Sequence, residues 1–114
     1  MITDQESWIS GYRLMWAVIM FDLPVVEKAD RRAATKFRQY LLDEGFSMGQ
    51  FSIYYRLLSG KEAVESLKRR IRYNLPAHGV VQVLVITDKQ YENIQTFRSR
   101  KEEPQKKAEQ LLLF

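Results

Sequence analysis

The 114-residue sequence contains no cysteine. That excludes a disulfide framework, a thiolate metal site and a cysteine nucleophile. It contains one histidine, His78. A metal centre built from several imidazoles is excluded, and a Ser-His-Asp triad is left with a single candidate base. No run of 18 or more apolar residues occurs, so no segment has the composition of a membrane-crossing helix. The start, Met1-Ile2-Thr3-Asp4-Gln5-Glu6, is acidic and lacks the basic region and small-residue cleavage site of a secretory signal. With cysteine absent as well, the expected location is the reducing cytoplasm.

Apolar residues make up 46% and charged residues 28%. This is the balance of one globular domain with a modest core, a size that gains from oligomerising. The net charge is +4, and it is unevenly held. Lys28, Arg31, Arg32, Lys36 and Arg38 face only Asp30 between positions 28 and 40. Lys61, Lys68, Arg69, Arg70 and Arg72 face Glu62 and Glu65 between positions 61 and 73. Two basic blocks suit a polyanionic partner, and equally two solvated helix faces.

Leu14–Asp22 is short, nearly continuously apolar and rich in β-formers, which predicts a buried strand ended by Pro24. Between 27 and 44, Ala29, Ala33, Phe37 and Tyr40/Leu41 recur at helical spacing, with Gly45 as the stop. A short strand piece is predicted at 46–48, broken by Gly49. The alternation at 51–57 predicts a strand with Phe51, Ile53, Tyr55 and Leu57 on one face and Ser52, Tyr54 and Arg56 on a polar face. Lys61–Tyr73 reads as a helix with Ala63/Val64, Leu67 and Ile71 inward. Val80–Thr87 reads as a strand, and Thr87-Asp88-Lys89-Gln90 as a capping box opening a helix through Phe97.

The order is strand, helix, strand, strand, helix, strand. It predicts an α+β, ferredoxin-like βαββαβ fold over 14–97, with an N-terminal extension at 1–13. A charged arm and a short additional C-terminal strand are expected over 98–114. Leu111, Leu112, Leu113 and Phe114 need a surface to bury them, and a partner subunit is the simplest. The fold hosts many functions. A base-stacking RNA-recognition module is disfavoured, because the stretch around Phe51 lacks the basic lead and second glycine of that motif. No cluster ligand or small-molecule loop supports an electron-transfer or regulatory domain.

Asp22 ends the first strand just before Leu23-Pro24. A carboxylate on a rigid element is a hard ligand for Mg²⁺ or Mn²⁺, but one is too few. A two-fold homodimer would supply a second, and a divalent ion would remove their repulsion. The other reading is an Asp that starts a turn before X-Pro. Arg31, Arg32, Lys36 and Arg38 on the first helix, and Lys68, Arg69, Arg70 and Arg72 on the second, are candidate nucleic-acid contacts that position a backbone without reading bases. Arg56 is a candidate to orient a phosphate near an Asp22 pair, or to form a cross-strand salt bridge. Ser52 is a candidate to position a water or an ordinary strand serine, and His78 fits surface loop better than general base.

Four stretches then carry a resemblance. VIMFDLP at 18–24, KFRQYLLDEGF at 36–46, QFSIYYR at 50–56 and LVITDKQY at 84–91 together resemble the CRISPR-associated protein 2 family, closest in style to type II systems. The resemblance implies a ferredoxin-like homodimer. It implies that Asp22 faces its symmetry mate and holds Mg²⁺ or Mn²⁺. It further implies a metal-dependent endonuclease acting on RNA or DNA. The family also bridges the CRISPR integrase and holds duplex DNA during spacer acquisition, a role in which cleavage is not needed. In the family a C-terminal strand pairs across the dimer or against the integrase, which is the role expected of 111–114. The same end also resembles a sliding-clamp binding peptide. A toxin-type RNase on the same fold, and a purely non-catalytic DNA scaffold, are the alternatives.

Overall fold

The structure is a computed structural model that describes residues 14–100. The 1–13 extension and the expected C-terminal strand, Leu111 to Phe114 included, lie outside the described residues. Strand β1 is Leu14–Asp22, followed by helix α1 at Lys28–Asp43. Strands β2 at Ser47–Gln50 and β3 at Ile53–Ser59 come next. Helix α2 is Lys61–Tyr73, strand β4 is Val80–Thr87 and the short helix α3 is Asp88–Glu92. The sheet order is β2-β3-β1-β4, and every neighbouring pair is antiparallel. This is the ferredoxin-like arrangement that the element order predicts.

The most apolar strand takes a central place because it must be covered on both flanks. β1 pairs with β3 through Ile19↔Tyr54 and with β4 through Ile19↔Val83. Ala17, Ile19 and Phe21 of β1 point to the helix-covered face with Tyr54 and Leu58 of β3. They meet Phe37 and Leu41 from α1 and Val64, Leu67 and Ile71 from α2, and this is the core. Phe21 packs edge-on to Phe37, ring centres 5.5 Å apart, and tilted against Tyr54 at 5.7 Å.

Four local expectations are corrected. The inner face of β3 is Tyr54–Leu58, not Ile53–Leu57: Tyr54 is only 2% exposed, whereas Leu57 is 45% exposed. An amphipathic tyrosine can fill a core, and its burial raises its hydroxyl pKa. The turn takes Phe51 and Ser52 out of the strand, and β2 runs on through Gly49 with a register shift between Met48 and Gln50. On α1 the deepest alanine is Ala34, with Ala29 exposed and Ala33 half-buried. The final helix ends at Glu92 instead of reaching Phe97.

The helix ends follow the sequence signals. Gly45 adopts φ +100°, with Phe46 N–H donating to the Leu41 carbonyl and Gly45 N–H to that of Leu42, both 3.0 Å. These are the two bonds of a Schellman stop. Thr87 caps α3: Gln90 N–H donates to Thr87 Oγ1 at 3.1 Å, and Thr87 N–H donates to Gln90 Oε1 at 2.9 Å.

Candidate functional site

Side chains alternate across a strand, so Trp16, Val18, Met20 and Asp22 lie on the sheet face that the helices leave open. Tyr55 and Leu57 of β3 and Val80, Gln82, Leu84 and Ile86 of β4 share that face. One end is covered from within the chain. Tyr91 of α3 stacks on Trp16, centres 3.7 Å apart and planes 10° from parallel, and meets Tyr55 edge-on at 5.5 Å. The Trp16 indole N–H donates to Asp88 Oδ1 at 2.7 Å. The opposite end is bare: Leu84 is 47% and Val80 59% exposed. Asp22 sits at this bare end, exposed, opposite Val80.

The strand end beneath Asp22 is fixed by a close approach. Gly79, at φ +103°, lies against Asp22 and Leu23. A Cβ there would come within 2.8 Å of the Asp22 carbonyl oxygen and 2.7 Å of Leu23 Cδ2. Gly79→Ala is therefore expected to cost roughly 1–3 kcal/mol, from the left-handed backbone alone, and to displace the Asp22 carboxylate with its strand end. Thermal melts and the activity of the folded fraction check both parts.

The Asp22 carboxylate makes no hydrogen bond or ion pair among the described residues. Its free oxygens are hard donors suited to Mg²⁺ or Mn²⁺. No group of three or more acidic, histidine or cysteine side chains stands ready to chelate a metal among the described residues. Asp22 is a single carboxylate, and a donor set drawn from two copies would fit such an ion better. His78 lies exposed in the loop beside Gly79, and Ser52 accepts a hydrogen bond at its carbonyl from Phe21 N–H at 3.1 Å.

The structure does not bring Arg56 to Asp22. Arg56 is opposite Ala17, five residues along β1 from Asp22, or about 17 Å at ~3.4 Å per residue. It lies on the helix-covered face, so its place on a polar face is corrected. There its Nη1 donates to Glu44 Oε1 at 3.0 Å. Glu44, at the C-terminal end of α1, is a hub that sequence reasoning missed. Arg70 of α2 forks onto the same carboxylate, Nε to Oε2 at 2.7 Å and Nη2 to Oε1 at 3.0 Å. The Tyr40 hydroxyl donates to Oε2 at 2.8 Å. The Arg70 hydrogen bonds, helped by Tyr40 and Arg56, hold the Glu44 carboxyl below its usual pKa, while burial and the Glu44 bond push the Tyr40 hydroxyl up to about 12.

A depressed folded-state carboxyl stabilises the fold above its unfolded pKa, ~4.3 for Glu. That contribution is lost as pH falls below this value and through the folded one. Glu44→Gln is expected to cost about 1–2 kcal/mol at pH 7, kept modest because Arg70 is well solvated. The gap to wild type should shrink as pH falls below about 4.3, which urea titrations at pH 7 and in the acid range measure.

The remaining candidates divide into occupied and open. Arg31 Nη1 donates to the Val25 and Val26 carbonyls at 3.1 and 2.7 Å, tying down the loop after Asp22. Arg38 lies over the rings of Phe51 and Phe21, at 5.0 and 5.9 Å, and its burial lowers its pKa. Lys68 pairs loosely with Glu65 at 3.4 Å. Arg32, Lys36, Arg69 and Arg72 are exposed and carry no ion pair among the described residues. Leu111 to Phe114, expected to bind a partner, lie outside the described residues. No helix among the described residues is long and apolar enough to cross a membrane.

The sequence profile described as CRISPR associated protein Cas2 matches residues 15–94, from the first strand to beyond the last helix. The chain belongs to the Cas2 family. Its Cas2 relatives include a CRISPR-associated endoribonuclease Cas2 of Paracidovorax avenae, 51% identical over 88% of this chain and 93% of the relative. A protein of the same name from Flavobacterium psychrophilum is 42% identical over the whole of both chains. Another from Ligilactobacillus salivarius is 41% identical over 76% of this chain and 86% of the relative. The Cas2 profile covers Asp22, both basic helices and the open sheet face alike.

Proposed function

We propose that this Cas2-family chain works as a two-fold dimer joined through the bare end of its open sheet face, and that the two Asp22 carboxylates form a divalent-metal endonuclease site there. The observation that carries this is the position of Asp22. It stands free, on a rigid strand end, on the same face as the uncovered Leu84 and Val80. Burying that apolar surface against a second copy places two carboxylates at one interface. Mg²⁺ or Mn²⁺ bound there would lower the pKa of a water and offset phosphate charge. The protein supplies the rest. Asp22 holds the ion, Gly79 fixes the strand end, and Arg32, Lys36, Arg69 and Arg72 hold the phosphate backbone. The relatives named as endoribonucleases support an RNA substrate. The same basic helices suit duplex DNA, and with it the adaptation role in which the dimer docks the CRISPR integrase.

The test uses wild type and Asp22→Ala with labelled RNA and duplex DNA, with Mg²⁺ or with chelator, reading cleavage and binding from the same samples. Cleavage is expected from wild type with metal only, to fall in Asp22→Ala to the chelator level, while binding survives. Equal cutting by both proteins, or by neither, would sink the nuclease reading of Asp22. Binding without any cutting would leave a DNA-bridging scaffold.

A further inference from the structure

A groove between α1 and the loop leaving α2 takes no part in the proposed metal site. Its wider end holds about 300 Å³ and is lined by Lys36, Phe37, Tyr40, Tyr73 and Asn74. Through Ala33, Pro76 and Ala77 it joins a narrower end of about 160 Å³ that reaches Leu23 and Pro24, the residues after Asp22.

Tyr73 is the unusual member. It is 89% exposed, and its side chain makes no hydrogen bond or ring contact among the described residues. It is the last residue of the basic helix α2, directly after Arg72. Lys36 lines the groove opposite, and Arg32 stands one turn earlier on α1. Neither these two nor Arg72 has an ion pair among the described residues. An aromatic face set among free cations is the combination that holds single-stranded nucleic acid, through stacking and phosphate contact. Two polar groups lining the wider end are already engaged. Tyr40 donates to Glu44 at 2.8 Å, and Asn74 Nδ2 donates to the Arg70 carbonyl at 2.7 Å. The groove therefore favours stacking over base reading. An acidic peptide without an aromatic residue would match the charge but offer no ring face to stack on Tyr73. Asp30 lines the narrow end, which keeps phosphate at the Lys36 end.

We propose that this groove is a subsite for one unpaired base of a nucleic acid held by the basic helices, with the base stacked on Tyr73 and its phosphate facing Lys36. The inference rests on the nucleic-acid reading above.

The experiment compares wild type, Tyr73→Ala and Tyr73→Phe as full chains. The probes are a blunt duplex, the same duplex with single-stranded flanks carrying 2-aminopurine, and an acidic leucine-containing peptide, each read by fluorescence. Tyr73→Ala is expected to bind the flanked duplex about tenfold more weakly and to lose the 2-aminopurine quench. Blunt-duplex binding is expected to change less than twofold, and Tyr73→Phe to behave as wild type. Adenine and thymine flanks should bind alike. If wild type binds both duplexes and Tyr73→Ala loses neither, or loses both equally, the subsite is overturned and the nucleic-acid reading stands. If wild type binds neither duplex, both readings fall. If only peptide binding depends on Tyr73, the groove serves a protein partner and the proposal is overturned.

Discussion

Replacing Arg32, Lys36, Arg69 and Arg72 together by alanine is expected to weaken duplex binding by at least about a hundredfold near 0.1 M salt. Each neutralised phosphate contributes about 0.9 to the slope of log affinity against log salt. Loss of four contacts should therefore flatten that slope by about three to four. All four side chains are exposed and none has an ion pair among the described residues, so their loss strips charge from the surface without opening the core. Alanine suits the four helical positions, and the melting temperature should hold or rise. Replacing Arg56 and Arg70 instead should destabilise the fold and barely touch the salt slope, because both are committed to Glu44. Anisotropy titrations at several salt concentrations separate these outcomes.

If the proposed dimer forms through this face, Leu84→Glu is expected to turn it into a monomer and to remove cleavage with it. Leu84 is 47% exposed in the single chain, opposite Val18. A surface change of this kind is ordinarily worth within ~0.5 kcal/mol to an isolated fold. Against a second copy it buries a carboxylate in an apolar contact, which costs several kcal/mol unless a partner neutralises it. Sedimentation equilibrium should show the mass halve while the circular dichroism is kept. A Leu84→Glu protein that still sediments as a dimer would place the interface elsewhere.

Much of this was legible in the sequence, and the reasons are local. Leu14–Asp22, Lys61–Tyr73 and Val80–Thr87 coincide with their elements, because dense β-formers and a regular helical stripe leave one choice. Gly45 and the Thr87–Gln90 box announce their turns for the same reason. The face of β3 was not legible. Tyr54 between Ser52 and Arg56 has the pattern of a solvent face, and only packing against Phe21 and Phe37 decides otherwise.

The Glu44 hub was hidden as well. Its partner Arg70 lies 26 positions away, and beside Gly45 the residue looks like any solvated helix end. The Trp16–Asp88 bond spans 72 positions and has no periodic signal at all. Asp22 could be singled out as a candidate because a strand end, X-Pro and a carboxylate coincide there. What the sequence could not give is the placement of Asp22 on the open face with Leu84 and Val80, which follows from the register of β1 with β4.

The proposed shared Asp22 site is tested most directly by counting bound Mn²⁺, by electron paramagnetic resonance, against chain concentration for wild type and Asp22→Ala. One ion for every two wild-type chains, absent from Asp22→Ala, is the predicted result. One ion per chain, or binding that survives in Asp22→Ala, would contradict a metal site built from two copies of this carboxylate.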